Sequence, residues 1–294
     1  MAKNSRRGKL NLTLTGGSLF AVVVLFLAMF HSASSLWVFL NLVGLLIVAG
    51  GILGAGMMMY PAKEIKDCYK TVLALFFEQE SRKVVAIFDL VKLAELQMQD
   101  AFALKRKVDS LDNDLIRYGI ELVSMGTKAD DVKRQLELRS EMSQERIISH
   151  SGYLVSLAKL GPGFGLLGTL VGLVVLLQDM GSGGNFDKVG PALAISLLAT
   201  LYGVIAANML FQPLAEAVRY VAEQMRKEDS IVIDGVLMIR EKKHPIQIRE
   251  ALKAHLPLYE VVEVDQYFTL QATAEKKGSA ATGSRSAGAG KEAA

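Results

Sequence analysis

Long uncharged apolar runs alternate along this chain with charged stretches of helical period. A bilayer takes roughly 20 consecutive apolar residues to cross, and four runs reach that order: Leu12–Phe30, Leu36–Tyr60, and two within Tyr153–Pro213. Trp37 and Tyr60 near the ends of the second run suit interfacial anchors. Pro61 changes the character of the chain. From Ala62 to His150 the sequence is charged, and Leu73, Phe76, Phe77 and Val84 read as part of one apolar helical stripe, continued by Val91, Ala94, Leu96 and Met98. After Pro213 a helix is predicted to run on amphipathically through Arg219, Glu223, Arg226 and Lys227. Ile231–Glu241 reads as an apolar-faced segment and His244–Pro257 as a short helix between prolines.

These patterns predict an all-α membrane protein with four transmembrane helices and a large helical cytoplasmic domain between spans two and three. The expected division is a basic cytoplasmic arm (1–11), a transmembrane hairpin (12–60), a cytoplasmic helical domain (61–150), spans three and four (151–215), a cytoplasmic helical tail (216–271) and a disordered tail (272–294). The last segment has no large apolar residue and cannot offset its ordering entropy. A basic start before an apolar run can mimic a signal peptide. The length of the run, and the second run that follows at once, favour an uncleaved first span. Short loops set orientation through their basic residues. His31–Ser35 has none and Asp179–Lys188 has only Lys188, so both termini and the middle domain are expected in the cytoplasm.

Composition agrees with a membrane class: 51% of the 294 residues are hydrophobic and the mean hydropathy is +0.31. The net charge of +3 says little about partners, and no nucleic-acid partner is expected. Cys68 is the only cysteine, so no intrachain disulfide can form. His31, His150, His244 and His255 are scattered without metal-ligand spacing, and no metal or cofactor is expected. The sequence has no phosphate-binding loop of the GxxxxGK[ST] type and no nucleophile–base set, so an enzyme is not expected.

The chemistry lies in spans three and four. Gly161, Gly165, Gly168 and Gly172 recur at three- and four-residue steps and share one helix face with Thr169. Ser196, Thr200, Gly203 and Ala207 recur in the same way. Two readings are open. Each threonine could bond its own helix carbonyl while the small residues only pack, or the hydroxyls could line an ion path. Pro162 and Pro213 lie near one end of the two spans, where each removes a backbone donor and makes a hinge or a plain kink. Neither apolar run carries an Asp or Glu, yet ion passage through a membrane normally needs an ionisable group. The acid is therefore expected from a second subunit packed on the small-residue faces. Gly50 and Gly54 in span two form another small-xxx-small pair, read as ordinary helix packing.

The blocks GPGFGLLGTLVGLVVLL (161–177) and ALAISLLATLYGVIAANMLFQPLAE (192–216) resemble the third and fourth spans of MotA/PomA flagellar stator subunits, part of the wider MotA/TolQ/ExbB group. The resemblance extends from about Leu12 to Pro257 and includes GGILGAGMMMYPAKEIK and IVIDGVLMIREKKHP. The first hairpin is similar to the flagellar type; relatives of the TolQ and ExbB type lack it. The resemblance implies an ion-channel, torque-generating subunit of the bacterial inner membrane. Five copies would surround a dimer of a MotB-type single-span partner whose membrane Asp carries Na⁺ or H⁺. It further implies Thr169 and Thr200 in the ion path, Pro162 and Pro213 as the hinge, and threonine at both sites as in sodium-driven members. For the rotor contact, against a FliG-type protein, it points to KRKVDSLDNDLIR, with Lys105, Arg106, Lys107, Asp109, Asp112 and Asp114. A solvated charged helix face is the other reading of that segment. Besides membrane lipid, the implied partners are thus the MotB-type subunit, further copies of the chain and the rotor. Two alternatives stand beside this function: an energiser of another envelope machine, and a non-conducting membrane scaffold.

Overall fold

The fold was analysed in a computed structural model that describes residues 9–10, 12–32, 36–78, 82–99, 111, 113–181 and 189–270. In chain order the helices are α1 (Leu12–Ser32), a 3₁₀ turn (Leu36–Phe39), α2 (Leu42–Met59), α3 (Ala62–Leu75), α4 (Arg82–Gln99), α5 (Asp114–Ser124), α6 (Ala129–Gly181), α7 (Val189–Ile205), a π-helical turn (Ala206–Phe211), α8 (Gln212–Arg240) and α9 (Pro245–Lys253). Residues 258–270 form α10. Lys9–Leu10 and Phe77–Glu78 add a two-residue antiparallel pairing.

Among the described residues, three stretches are long and apolar enough to cross a membrane: α2, α6, and the run from Val189 to Arg240, while the apolar part of α1, Leu19–His31, is shorter. The second apolar run does not form one helix from Leu36. Asn41 interrupts it, accepting from the Gly44 amide as the N-cap of α2, so the helix proper begins six residues later than its hydrophobicity suggests. An uncapped start would leave amide donors without a partner.

The chain divides into two compact units, one of residues 1–79 and 143–223, the other of 80–142 and 224–294. In the first unit α2 packs along α6 and α7 through one face: Gly44, Val48, Ile52 and Gly56 are buried. A methyl on Gly44 would come 3.4 Å from the Ala199 nitrogen, one on Gly51 would strike the Phe164 ring, and one on Gly56 would lie 2.6 Å from Leu157. Gly50 and Gly54, the pair singled out by spacing, meet nothing within 4 Å. The helix is rotated so that its other glycines make the close approach. Tyr153, Leu154, Leu157, Ala215 and Val218 complete this core.

α3 belongs to the same unit. It buries Cys68 and Leu75, and Arg146 donates to Asp67 at 2.6 Å. His150 is buried and its Nδ1 lies 3.0 Å from the Thr71 hydroxyl. Burial, with the Arg146 charge beside it, holds this imidazole below the usual range. The predicted stripe Leu73–Phe76–Phe77–Val84 is not one surface, because α3 stops at Leu75. Leu73 and Phe77 are exposed, while Val84 is buried in the core of the other unit.

The second unit is a helical core built on Ile87, Leu90, Leu93, Ile116, Ile120, Leu136, Ile231, Ile239, Ile248 and Leu252, all essentially inaccessible. Its apolar positions recur at helical spacing in α4, α5 and the end of α8, as the sequence pattern requires. Gly126 takes a φ of +77° in the turn after α5, a conformation nearly free for glycine alone. His244 caps α9 with Pro245 in its first turn, where a missing N–H costs nothing.

Candidate functional site

Two stretches build the site, Gly161–Gly172 of α6 and Ala192–Ala207 across α7 and the π turn. Without side chains on one surface, their backbones touch. A methyl on Gly161 would lie 2.5 Å from the Gly203 carbonyl oxygen and 3.0 Å from the Ala207 methyl. One on Gly165 would lie 3.1 Å from the Thr200 Cα, and one on Gly172 would lie 2.8 Å from the Ala192 carbonyl oxygen. Gly161, Gly165, Gly168, Gly172, Ser196, Gly203 and Ala207 are all buried. The small-residue faces, expected to receive a companion helix, are therefore consumed by packing against each other. Surfaces this smooth gain dispersion contact only when nothing stands between them.

The threonines sit at the edge of that seam and meet across it. Thr169 Oγ1 and Thr200 Oγ1 are 2.6 Å apart. Thr169 Oγ1 also lies 3.2 Å from the Gly165 carbonyl and 3.1 Å from the Ser196 carbonyl. Thr200 Oγ1 reaches the same two carbonyls at 3.4 Å. Two hydroxyls bring two protons. One bridges the pair and the other goes to a carbonyl, so four oxygens converge on one donor beyond the bridging proton. Both readings open at the sequence level have their geometry here. Thr169 bonds back to Gly165 of its own helix, and it also faces Thr200, whose side is open to the surroundings. Clustered neutral oxygens suit a hard cation or an ordered water chain.

Two further hydroxyls join the site, Ser196 of the recurring small-residue face and Tyr202, which the spacing did not single out. Ser196, buried on the α7 face, donates to the Thr169 carbonyl at 3.1 Å and locks the two helices in register. Tyr202 donates to the Phe39 carbonyl at 2.6 Å and accepts from the Asn41 amide at 2.8 Å, which pins the start of α2 to α7. An uncharged tyrosine at a helical position inside an apolar run was the available signal. Its partners lie more than 160 residues away.

Pro162 stands exposed inside α6, and Pro213 exposed at the start of α8. Helix α6 continues through Pro162. Before Pro213 the backbone instead widens into a π turn, with the Gln212 amide donating to the Ala207 carbonyl five residues back. Proline forbids the ordinary bond and crowds the preceding turn, and one extra residue in the turn relieves the clash. Gly161 packs on Gly203 and Ala207, so both irregularities occur at one level of the helix pair.

Of the charged positions put forward as a rotor contact, Asp114 is the first residue of α5. It is exposed and paired with Arg117 of the same helix at 2.9 Å. Lys105, Arg106, Lys107, Asp109 and Asp112 lie outside the described residues.

Fold and site together define a class: helical proteins in which two apolar helices, packed through glycine, hold a hydroxyl pair and no acid within the apolar runs. Comparison with known proteins gives that class a family. Residues 107–230 match the model of the MotA/TolQ/ExbB proton channel family. It is 29% identical over 245 residues to the chemotaxis protein PomA of Vibrio alginolyticus, covering 83% of this chain and 93% of PomA. Its fold is that of a chain in the structure of C. jejuni MotAB, with a TM-score of 0.76 at 19% identity over 85% of this chain and 97% of that one. A chain of the flagellar MotAB stator complex from Bacillus subtilis superposes with a TM-score of 0.75 at 24% identity, over 84% and 96%.

Proposed function

We propose that the protein is the ion-conducting, torque-generating stator subunit of a flagellar motor, working with a MotB-type partner. The observation that carries this reading is the Thr169–Thr200 hydroxyl pair, 2.6 Å apart, in two apolar runs that contain no Asp, Glu, His, Lys or Arg from Leu160 to Gln178 or from Val189 to Pro213. Neutral oxygens can hand an ion along but cannot hold a proton against water, so the charge-bearing acid belongs to the partner. Because the glycine faces are already closed on each other, the partner helix approaches from the open side of Thr200. Two threonines favour Na⁺, which prefers oxygen ligands. The chain crosses the inner membrane four times with both termini in the cytoplasm. Five copies surround a partner dimer, and the charged segment ending at Asp114 meets a FliG-type rotor protein. Pro213 and the π turn below the ion path give the helix a point at which to bend.

The test is co-expression with the MotB-type partner in a motile host deprived of its own stator. Swimming should follow external sodium at fixed proton motive force, and Thr200→Val should abolish it while the complex still assembles. Full motility in the Thr200→Val variant would overturn the ion-path reading. Motility indifferent to sodium would assign the ion as H⁺.

A further inference from the structure

We infer that α3 is a headgroup-reading helix: its outward Lys63, Lys66 and Lys70, flanked by Tyr69 and Leu73, bind anionic phospholipid in the leaflet at that end of the apolar helices. The inference concerns a surface apart from the ion path and rests on the reading that α2 and α6 cross the membrane.

The first observation is where α3 lies on α6. Tyr60, just ahead of α3, packs edge-to-face on Tyr153 at 4.9 Å. Asp67 meets Arg146, Cys68 approaches the His150 carbonyl at 3.7 Å, and Thr71 meets the His150 ring. An α3 running alongside α6 would move down it by about one residue for each of its own, at 1.5 Å apiece. Thr71 would then lie well past Arg146. Instead it returns to His150. So α3 crosses α6 at a single level, just beyond the apolar run, and a helix that crosses a spanning helix there lies along the bilayer surface.

The second observation is how its side chains are sorted around the axis. Ile65, Cys68, Val72 and Leu75 face the core of the unit. Lys63, Lys66 and Lys70, at steps of three and four, form one outward stripe, and all three are exposed. The acids fall to one side of it. Asp67 is taken up by Arg146 and by Lys70, and exposed Glu64 precedes it by three residues. Arg146 lies on the side of α3 away from the apolar run, so the acidic flank points away from the hydrocarbon. On the opposite flank stand Tyr69 and Leu73, 63% and 44% exposed, and α2 arrives through Met57 and Met58, 70% and 89% exposed. Apolar flank toward the acyl chains, lysines at headgroup level and acids toward water is the ordering of an interfacial helix. Three lysines at that depth complement anionic phosphate.

The experiment uses the full-length protein in vesicles of phosphatidylcholine containing either brominated phosphatidylglycerol or brominated phosphatidylcholine as the minor lipid. Trp37 is the only tryptophan, and its quenching by both lipids in the native protein reports insertion. In the Trp37→Phe/Tyr69→Trp variant, quenching by brominated phosphatidylglycerol should exceed that by brominated phosphatidylcholine by about threefold or more, because the lysines attract anionic headgroups. Lys63→Gln/Lys66→Gln/Lys70→Gln in that background should bring the ratio to about one, with unchanged helical circular dichroism. Equal quenching before the lysines are removed would overturn the proposal. So would no quenching at position 69 while Trp37 is quenched, since protein, such as a second copy, would then cover α3. An unquenched Trp37 would instead reject the membrane reading itself.

Discussion

A single methyl group distinguishes two kinds of glycine in the apolar helices. At Gly203 an added carbon would collide with the Gly161 carbonyl, and backbone cannot rotate away as a side chain can. Gly203→Ala should therefore part the two helices at a cost of about 1–3 kcal/mol, read as a lower thermal midpoint in detergent. Gly54→Ala meets open space and should leave that midpoint unchanged or raised, because alanine favours helix by roughly 0.5–1 kcal/mol. A comparable fall in both variants would contradict the packing described. The hydroxyl pair separates stability from function in the same way. In Thr169→Val the Ser196 hydroxyl still bonds the residue 169 carbonyl, so the complex should assemble while ion-dependent motility drops at least tenfold, the order of one lost charge-assisted contact. Wild-type swimming by that variant would remove Thr169 from the path.

At the scale of elements, the 3₁₀ turn and α2 are held by one side chain from α7. Tyr202→Phe leaves the Phe39 carbonyl and the Asn41 amide without their partner, and an unsatisfied polar group away from water costs about 1–3 kcal/mol. The expected sign is faster amide exchange at residues 36–44 with little change in α6; uniform protection would rule the tether out. What the sequence disclosed follows from what is local. Glycines repeating at three and four, the prolines, and the change from apolar to charged at Pro61 sit in neighbouring residues, and each element they mark is present. The continuous helix after Pro213 was legible for the same reason, and so was the short helix at Pro245. What stayed hidden depends on rotation and distance. Gly51 and Gly56 rather than Gly50 and Gly54 make the contact of α2 because Phe164 and Leu157 happen to face them. That α6 and α7 present their bare faces to each other is a pairing no single run can announce. Leu73 and Val84 share a helical spacing in the chain, yet Leu73 is exposed and Val84 buried, since α3 ends between them.

For the molecule as a whole, a carboxyl buried in one of the two compact units makes stability depend on pH. In the unit of residues 80–142 and 224–294, Glu228 is buried. Asn113 donates to it at 2.9 Å while also capping α5. Burial lifts this carboxyl to about 7, offset in part by Arg82 and Lys83 and reinforced by Asp229. The unfolded chain ionises the group near 4.5, so between about 4.5 and 7 the folded state holds the proton the unfolded state has released. Stability is then fullest below pH 4.5, declines as pH rises to about 7, and is level above it. Glu228→Gln keeps an oxygen facing Asn113 and should flatten that decline, raising stability at pH 8 by an amount on the order of 3 kcal/mol. Thermal melts at pH 5 and pH 8 decide it: a native slope that survives in the variant would place the titration elsewhere.

The widened turn at Ala206–Phe211 fixes the phase of everything after it. One residue more than an α-helix needs is accommodated there, and each residue advances a helix by about 100°. Removing Met209 alone would take out that extra residue and let the chain wind as a plain α-helix with Ala215 and Val218, both fully buried, still in phase with their core, whereas removing Leu214, beyond the turn, would swing Val218 roughly a quarter-turn out of it. A one-residue deletion should thus be absorbed inside this stretch and forbidden just past it, and the proline two residues on is what keeps the extra residue in place.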